Sequence, residues 1–279
     1  MTPALSVIIP ANNEAGYIEP CLKALIAQDW PGEGQRGEII VAANGCIDDT
    51  VGLAQECTEA AADAGWDLIV LDIAEGNKSN ALNRADASAR GDMRVYLDAD
   101  VICDVDLIGA LYQVLDRPKP AYASGTMRVA PGKSWITRHY REIWTRLPFM
   151  THGVQGAGLF SVNASGRTRW ASFPPIIADD TYARVSFAPH ERHSVAPTFL
   201  WPLPEGWTNL VKARRRQDAG TVEMHEKYPA MMVNETKPAI STGEVLRLGA
   251  KYPVSFAVYA AVKLAVRVNG HSRAWTRGR

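Results

Sequence analysis

The chain has 279 residues, 47% of them hydrophobic and 22% charged, which is the composition of a globular protein with a sizeable core. Its 30 Lys and Arg residues balance 30 Asp and Glu residues, so there is no global basic field and we expect no nucleic-acid partner. The four cysteines form no Cys-x-x-Cys pair, which argues against structural zinc or a disulfide scaffold and indicates a cytoplasmic protein.

The first hundred residues predict four strands that alternate with helices. Short apolar runs are followed by polar loops and then by apolar residues at helical spacing. Because the runs contain no polar alternation, the strands are expected to be buried on both faces. We therefore predict an α/β fold in which helices flank a mostly parallel sheet. The predicted strands are 5–10, 38–43, 67–73 and 94–100, and the predicted helices are 17–28, 50–64 and one that begins near Ser79.

The periodicity is weaker beyond residue 104. Helices are predicted at 105–115 and 134–147, with an extended segment at 121–129 between them. A stretch rich in proline and tryptophan then separates residue 196 from a basic helix predicted at 208–218. No internal repeat is present, so a single domain with an elaborated C-terminal half is the expected organisation.

Polar residues gather where the predicted strands end, and ligands of open α/β sheets bind at that edge. The loop before the third helix offers a glycine, a capping residue (Asn77 or Ser79) and a lysine, which suits an anion; a well-capped helix is the alternative. The loop after the second strand could cap a helix or contact a base or ribose. The residues concerned are Asn12, Glu14, Asn44, Asp48, Asp49 and Lys78.

Asp98-Ala99-Asp100 ends the fourth predicted strand. Alternate residues of an extended chain point to the same side, so the two carboxylates would repel each other unless a cation lies beside them. Hard oxygen ligands suit Mg²⁺ or Mn²⁺, which commonly share their coordination with substrate phosphates. The alternative is that one aspartate caps the next helix while the other is solvated.

A second acidic pair, Asp179-Asp180, follows a Phe-Pro-Pro segment. Acidic residues at a helix start often cap the helix and interact with its dipole. The catalytic alternative is that one carboxylate removes a proton from an acceptor hydroxyl. The residues alone leave both interpretations open.

Taken in order, these segments resemble glycosyltransferase family 2, the inverting class with the GT-A fold. The resemblance runs through much of the chain, and the ordered set is far more specific than any one piece. It is carried by SVIIPANNEAGYIEPCL, ANGCIDDT, GNKSNALN, LDADV, GAGLFSV and IIADDTYAR.

The resemblance implies transfer of a sugar from a metal-bound nucleoside diphosphate sugar to an acceptor hydroxyl, in glycan or glycolipid biosynthesis. It implies Mn²⁺ or Mg²⁺ at Asp98 and Asp100 and a general base at Asp180, with Asp179 as the second candidate. Residues 1–104 would form the donor-binding half and 105–279 the acceptor-binding half of one domain. The expected donor-binding residues are Pro10, Asn12, Glu14, Asn44, Asp48, Asp49, Lys78, Asp98, Ala99 and Asp100, and the expected acceptor-side residues are Gly156, Ala157 and Gly158.

Two departures from the family pattern bear on specificity. Many members carry an aspartate where Ala43 or Asn44 stands, and a basic segment at 209–217 replaces the frequent Gln-x-x-Arg-Trp motif, which argues against processive polymer synthesis. Two other functions are less well supported. A sugar nucleotidyltransferase usually has a glycine-rich basic loop after its first strand, which is missing here, and a non-catalytic nucleotide-sugar-binding subunit would be expected to lose an acidic pair.

The ends of the chain bear on location. The N-terminus lacks the charged region and length of a signal peptide, and the apolar segment 254–268 falls short of the roughly 20 residues of a spanning helix. Basic residues around it would let the helix lie on an anionic membrane, with a lipid-linked or cell-surface glycan acceptor on the cytoplasmic face. The alternative is a buried helix packed closely through Ala257, Ala260, Ala261 and Ala265. The flanking basic residues are Lys251, Arg267, Arg273, Arg277 and Arg279.

Overall fold

The computed structural model describes residues 3–30, 34–236 and 238–268. It divides into two compact units whose segments interleave along the chain. The sheet unit runs to Arg128 and adds Gly156–Pro175 and Asp179–Trp201. The helical unit comprises Val129–Gln155, Ile176–Ala178 and the residues from Pro202 onward.

The four predicted strands are present as β1 (Leu5–Ala11), β2 (Gly37–Asn44), β3 (Trp66–Ile73) and β4 (Met93–Leu97). β1 lies between β2 and β4, β3 pairs with β2, and all three pairings are parallel. Every residue of β2 is buried, as expected for a strand that is covered on both faces. The predicted α/β fold with a mostly parallel, helix-flanked sheet is confirmed.

Helices follow these strands: α1 (Ile18–Ile26), α2 (Thr50–Gln55), α3 (Thr58–Asp63) and α4 (Lys78–Ser88). The single helix predicted at 50–64 is two short helices, because the chain tightens where the N–H of Cys57 donates to the carbonyl of Ala54. Of the two caps considered for α4, Asn77 caps the helix, since its Oδ1 accepts from the N–H of Asn80 at 3.0 Å.

Four further strands extend the sheet: β5 (Ile102–Cys103), β6 (Tyr122–Val129), β7 (Leu159–Val162) and β8 (Arg192–Trp201). The strand order is β3-β2-β1-β4-β7-β6-β8-β5, and β7 is antiparallel to both β4 and β6. The proline-rich stretch predicted to be a separator contains the second half of β8, residues 197–201. This strand alternates between more and less exposed residues, so it lacks the continuous apolar signal of the parallel strands. The remaining helices of the unit are α5 (Leu107–Leu115), α8 (Ala164–Arg167) and α9 (Asp179–Val185).

A buried carboxylate on α4 fixes this helix against the sheet. Asp86 accepts hydrogen bonds from the hydroxyl of Tyr96 on β4 at 2.9 Å and from the guanidinium of Arg167 on α8 at 2.9 Å. Its side chain is 7% exposed. Asp86 therefore connects α4, the helix that carries Lys78 in its first turn, to β4 and α8.

The amino end of the sheet contains a second buried carboxylate, Glu38 on β2. It accepts from the hydroxyl of Ser6 at 2.6 Å, from the guanidinium of Arg90 at 2.9 Å and from the N–H of Gly91 at 3.2 Å. Burial acts to raise the pKa of Glu38, but these hydrogen bonds outweigh it and lower the pKa below the ordinary value. The carboxylate thus links β1 and β2 to the turn before β4.

The helical unit contains α6 (Trp135–Trp144), α7 (Pro148–Thr151), α10 (Gly206–Lys227), α11 (Thr242–Lys251) and α12 (Pro253–Val268). The basic helix predicted at 208–218 is thus much longer, and α12 packs against α6 and α10. Within the described residues, no helix is both long and apolar enough to span a bilayer.

Only one face of α12 is buried, and the buried residues on it are Ser255, Val262 and Val266. The alternative of close packing through alanines is wrong for Ala257, Ala260 and Ala261, which are exposed. Val254, Leu264 and Val268 are also exposed, at 51%, 63% and 74%. The three basic residues predicted to flank the helix at Arg273, Arg277 and Arg279 lie outside the described residues.

Candidate active site

The loops after β1 and β2 are tied together by two asparagines. The side-chain amide of Asn12 donates to the carbonyl of Asn44 at 2.5 Å, and that of Asn44 donates to the carbonyl of Ala11 at 2.8 Å. Asn44 is 3% exposed, so its amide is a buried link between the two loops. Pro10 is half-buried on β1, directly before these loops.

Asp48 organises the second loop. Its carboxylate accepts from the N–H of Ala15 at 3.1 Å and from the hydroxyl of Thr50 at 2.5 Å. The same threonine oxygen accepts from the N–H of Glu14 at 2.7 Å. Asp49 occupies the N-cap position of α2 without a side-chain capping bond and is exposed. Of the two aspartates, Asp48 therefore holds Glu14 and its loop in position.

The loops after β2 and β3 meet at two glycines. Gly45 has φ +57°, and a Cβ on it would lie 2.7 Å from the Cα of Gly76, a distance that no side chain tolerates. Gly76 in turn lies beside the amide of Asn12, 3.7 Å from where its own Cβ would be. The first three loops are thus packed at the carboxyl edge of the parallel strands.

Asp98-Ala99-Asp100 forms a turn rather than the end of a strand. β4 stops at Leu97, and the N–H of Val101 donates to the carbonyl of Asp98 at 3.1 Å. The argument from strand alternation is therefore wrong here, because a turn sets the directions of the two carboxylates. Ala99 is buried, and the N–H of Asp98 donates to the carbonyl of Gly158 at 2.9 Å.

Lys78 connects the two acidic motifs. Its Nζ lies 3.1 Å from Oδ1 of Asp98 and 3.2 Å from Oδ2 of Asp179. Burial by itself would lower the pKa of Lys78, but Asp179 and Asp98 raise it above its ordinary value. Lys78 is accordingly an ammonium ion at neutral pH.

The two aspartates of the second motif have different surroundings. Asp179 is buried and bound by Lys78, and burial together with the negative charge of Asp180 raises the pKa of its carboxyl. Asp180 is half-buried, and its Oδ1 accepts from the N–H of Thr181 at 2.6 Å. One carboxylate is thus engaged by a lysine, while its neighbour lies nearer the surface at the start of α9.

Gly156-Ala157-Gly158 leads into β7 and is packed tightly. Gly156 and Gly158 have φ of +74° and +76°, and Ala157 between them is half-buried. A Cβ on Gly156 would lie 1.7 Å from the hydroxyl oxygen of Tyr122, and one on Gly158 would lie 2.6 Å from the ring of Trp201. Both positions therefore require glycine, for conformation and for space.

Sequence reasoning missed the contribution of Asn83 on α4. Its side-chain amide donates to the carbonyl of Phe173 at 2.9 Å, and its Oδ1 accepts from the N–H of Phe173 at 2.7 Å. Ser79 adds a hydrogen bond to the carbonyl of Pro174 at 2.9 Å. Asn83 stands four residues after Ser79 in the GNKSNALN motif. Residues four apart lie on the same face of a helix, and this spacing could have indicated that both side chains contact the Phe173–Pro174 segment.

Two carboxylates, Asp98 and Asp100, remain the candidate metal ligands. Across residues 3–30, 34–236 and 238–268 no group of three or more His, Cys, Asp or Glu side chains is arranged to hold a metal ion. Mg²⁺ is often bound through only one or two carboxylates, with substrate phosphates completing the shell. The residues present suit a metal that binds together with a phosphorylated ligand.

Comparison with known proteins finds relatives among the glycosyltransferases. The chain is 28% identical over 199 residues to the 4,4'-diaponeurosporenoate glycosyltransferase of Staphylococcus aureus, covering 69% of this chain and 48% of that protein. It is 36% identical over 103 residues to the probable glycosyltransferase YdaM of Bacillus subtilis, covering 35% of this chain and 23% of that protein. The chain therefore spans about half the length, or less, of these curated relatives.

Solved structures show the same fold. The mannosyltransferase PcManGT from Pyrobaculum calidifontis, in complex with GDP-Man and Mn²⁺, aligns with a TM-score of 0.60 at 21% identity, covering 97% of this chain and 76% of that one. The glucosyl-3-phosphoglycerate synthase from Mycobacterium tuberculosis, in complex with Mn²⁺, UDP and glucosyl-3-phosphoglycerate, aligns with a TM-score of 0.52 at 18% identity, covering 80% and 79%. The predicted GT-A fold is confirmed.

The family profile described as Glycosyl transferase family 2 matches residues 6–173. The match includes the loops after β1, β2 and β3, the Asp98-Ala99-Asp100 turn and the Gly156-Ala157-Gly158 segment. It covers more than half of the chain, and so this protein belongs to glycosyl transferase family 2.

Proposed function

We propose that this chain is an inverting glycosyltransferase that moves a sugar from a metal-bound nucleoside diphosphate sugar to an acceptor hydroxyl. The observation that carries the proposal is that Asp98 and Asp179 lie within 3.2 Å of the same lysine nitrogen. Displacement at an anomeric carbon needs charge neutralisation at the leaving phosphate and activation of a hydroxyl on the opposite face. Two neighbouring acidic motifs with different surroundings meet both needs.

The chemistry of the first acidic motif fits a divalent cation. Asp98 is a half-exposed carboxylate that already binds one cationic group, the ammonium of Lys78. Asp98 and Asp100 would hold Mn²⁺ or Mg²⁺ together with the donor phosphates. The metal would neutralise the charge that develops on the departing nucleoside diphosphate.

Asp180 is the proposed general base. A base must accept a proton from the acceptor hydroxyl, so its carboxylate needs a free approach and must not already be bound by a cation. Asp179 is buried against Lys78, whereas Asp180 is half-buried and one residue further into α9. Asp179 then keeps Lys78 in place, and Asp180 activates the acceptor.

The donor nucleotide would lie over the loops after β1, β2 and β3. Helix α4 presents its N-terminus there, capped by Asn77, and backbone N–H groups at a helix start attract phosphate. Asn12 and Asn44 order the neighbouring loops rather than facing outward, so Glu14 and Asp49 are the side chains of this edge that we expect to contact the nucleoside. Gly156–Gly158 would line the acceptor side.

Donor binding and turnover test the two acidic roles separately. Thermal unfolding is followed with UDP-GlcNAc and GDP-Man, with and without Mn²⁺, since a ligand at 100 times its Kd stabilises by about 2.7 kcal/mol. Asp100→Asn should abolish the Mn²⁺-dependent shift, whereas Asp63→Asn, which changes an exposed carboxylate on α3, should retain it. An unchanged Mn²⁺-dependent shift in Asp100→Asn contradicts the metal assignment.

The base is tested by release of nucleoside diphosphate in the presence of acceptor. Asp180→Asn should lower turnover by roughly 10²- to 10⁴-fold, the usual range for a general base, while donor affinity is nearly kept. A fully active Asp180→Asn variant beside an inactive Asp179→Asn variant would reverse the two roles.

We also propose that α11 and α12 contact an anionic membrane from its cytoplasmic side, which suits a lipid-linked acceptor. After Glu244 the sequence contains no Asp or Glu but seven Lys and Arg residues, in a chain whose formal net charge is zero. The same region contains four exposed large apolar side chains, Leu246 on α11 and Val254, Leu264 and Val268 on α12. Basic charge beside an exposed apolar face is typical of helices that lie in the headgroup region.

Cosedimentation with phosphatidylglycerol vesicles tests this contact, with phosphatidylcholine vesicles for comparison. Leu264→Glu should abolish binding at low salt, where electrostatic attraction is least screened. Val233→Glu introduces a glutamate at an exposed apolar residue outside α11 and α12 and should leave binding intact. A protein that remains in the supernatant with both vesicle types at low salt has no membrane face here.

A further inference from the structure

The ammonium group of Lys78 is a cation that lies between the two acidic motifs. It is the first residue of α4, and its side chain crosses to Asp98 at the end of β4 and to Asp179 at the start of α9. The helix that carries it is anchored by Asp86 and Asn83, so the lysine stem starts from a fixed point. The ammonium group is therefore held at these carboxylates by the fold rather than by a chance surface contact.

The negative charge around this lysine exceeds what one ammonium neutralises. Asp98, Asp179 and Asp180 all act on it electrostatically, which leaves an excess of two negative charges when the three are ionised. Such a cluster attracts a further cation. A further cation would have to compete for Asp98, because its Oδ1 already accepts a hydrogen bond from Nζ of Lys78 at 3.1 Å.

A tethered ammonium and a divalent ion compete for the same carboxylate. The lysine is always present at high effective concentration because it is part of the chain, and a metal that binds Asp98 is also repelled by its positive charge. A donor diphosphate removes both obstacles, since its oxygens accept hydrogen bonds from the lysine and supply further ligands to the metal.

We propose that Lys78 is an internal counter-ion that suppresses metal binding until the donor nucleotide arrives, so that metal and donor bind cooperatively. The inference rests on the proposed function for the presence of the metal at Asp98. It assigns to Lys78 a role in the donor-free protein as well as a contact to phosphate. Coupling of this kind is reciprocal, so the metal must tighten the nucleotide as much as the nucleotide tightens the metal.

Titration calorimetry with Mn²⁺ alone, in the absence of nucleotide, tests the proposal without an activity readout. Lys78→Gln removes the charge and keeps most of the length, and Mn²⁺ affinity should rise about tenfold or more. Lys78→Arg keeps the charge and should bind Mn²⁺ as weakly as the wild type. Equal or weaker Mn²⁺ binding by Lys78→Gln overturns the counter-ion role.

The wild-type protein supplies a second measurement that needs no substitution. Its Mn²⁺ affinity in the presence of UDP or GDP should be at least about tenfold higher than with Mn²⁺ alone, and Lys78→Gln should lose most of this difference. Equal Mn²⁺ affinities of the wild type with and without both nucleotides contradict the inference while leaving a metal-dependent transferase intact. Mn²⁺ binding to no variant under any of these conditions contradicts the proposed metal itself, and the inference with it.

Discussion

Replacing Gly156 by alanine tests the tight packing of the segment that leads into β7. Two costs combine at this position. A φ of +74° costs a residue with a Cβ about 1–2 kcal/mol. The new methyl group would also lie 1.7 Å from the hydroxyl oxygen of Tyr122, and forcing extra volume into a packed site costs about 1–3 kcal/mol. Gly156→Ala should therefore lower the free energy of unfolding by about 2–5 kcal/mol.

Two variants separate these costs. Gly34 has nearly the same φ, +76°, but among the described residues no atom lies within 4 Å of the position that a Cβ would take there, so Gly34→Ala reports the backbone cost alone. Tyr122→Phe removes the oxygen that the methyl group would strike. Within the described residues this buried hydroxyl has no hydrogen-bond partner, so its loss alone should be neutral or stabilising.

Urea denaturation followed by circular dichroism measures the wild type, the three single variants and the double variant Gly156→Ala/Tyr122→Phe. The double variant should recover much of the steric cost, which appears as a coupling free energy in the double-mutant cycle. Equal losses for Gly156→Ala and Gly34→Ala, or no recovery with Tyr122→Phe, would refute the packing argument.

Three further predictions concern buried polar contacts. The stabilisation from Glu38 is present above its ordinary pKa of 4.5 and is lost as pH falls through the lower folded-state pKa, so unfolding midpoints of the wild type should fall more steeply than those of Glu38→Gln below pH 5. Asp86→Asn leaves Arg167 without its carboxylate and should cost about 3–5 kcal/mol in urea denaturation, whereas Glu19→Gln, which removes an exposed ion pair with Lys23 on α1, should cause no measurable change. Asn83→Ala should cost about 1–3 kcal/mol and also lower turnover; unaltered turnover would show that its bond to Phe173 does not position the second acidic motif.

The parallel strands could be predicted because their signal is local. β1 and β2 are continuous apolar runs, and burial on both faces demands such runs. β8 has no such signal, since it carries polar residues and a proline and is only partly buried. Its place is fixed by pairing with β5, from which it is separated by about ninety residues along the chain, and a pairing of that separation leaves no periodicity to read.

The motifs of the candidate site could be predicted from the sequence, but the contacts between them could not. The order of the motifs identified both acidic pairs, but Lys78 appeared only as a seat for an anion. Its bond to Asp179 joins residues 78 and 179, and no spacing rule reaches that far. The prediction that the Asp98 and Asp100 carboxylates point to the same side was wrong because it applied a local rule outside its range. Side-chain alternation holds within strands, and this strand ends at Leu97.

The different surroundings of the carboxylates are the basis of the roles proposed for these chemically identical side chains. The side chain of Asp98 is 39% exposed, so it is accessible to a second cation, whereas the side chain of Asp179 is 8% exposed and would be left as a buried carboxylate without its cation if its ion pair with Lys78 broke. Environments that differ in this way separate the roles of paired acids in enzymes. In the proposed mechanism Asp179 therefore holds Lys78, Asp98 exchanges Lys78 for a metal, and Asp180 accepts the proton.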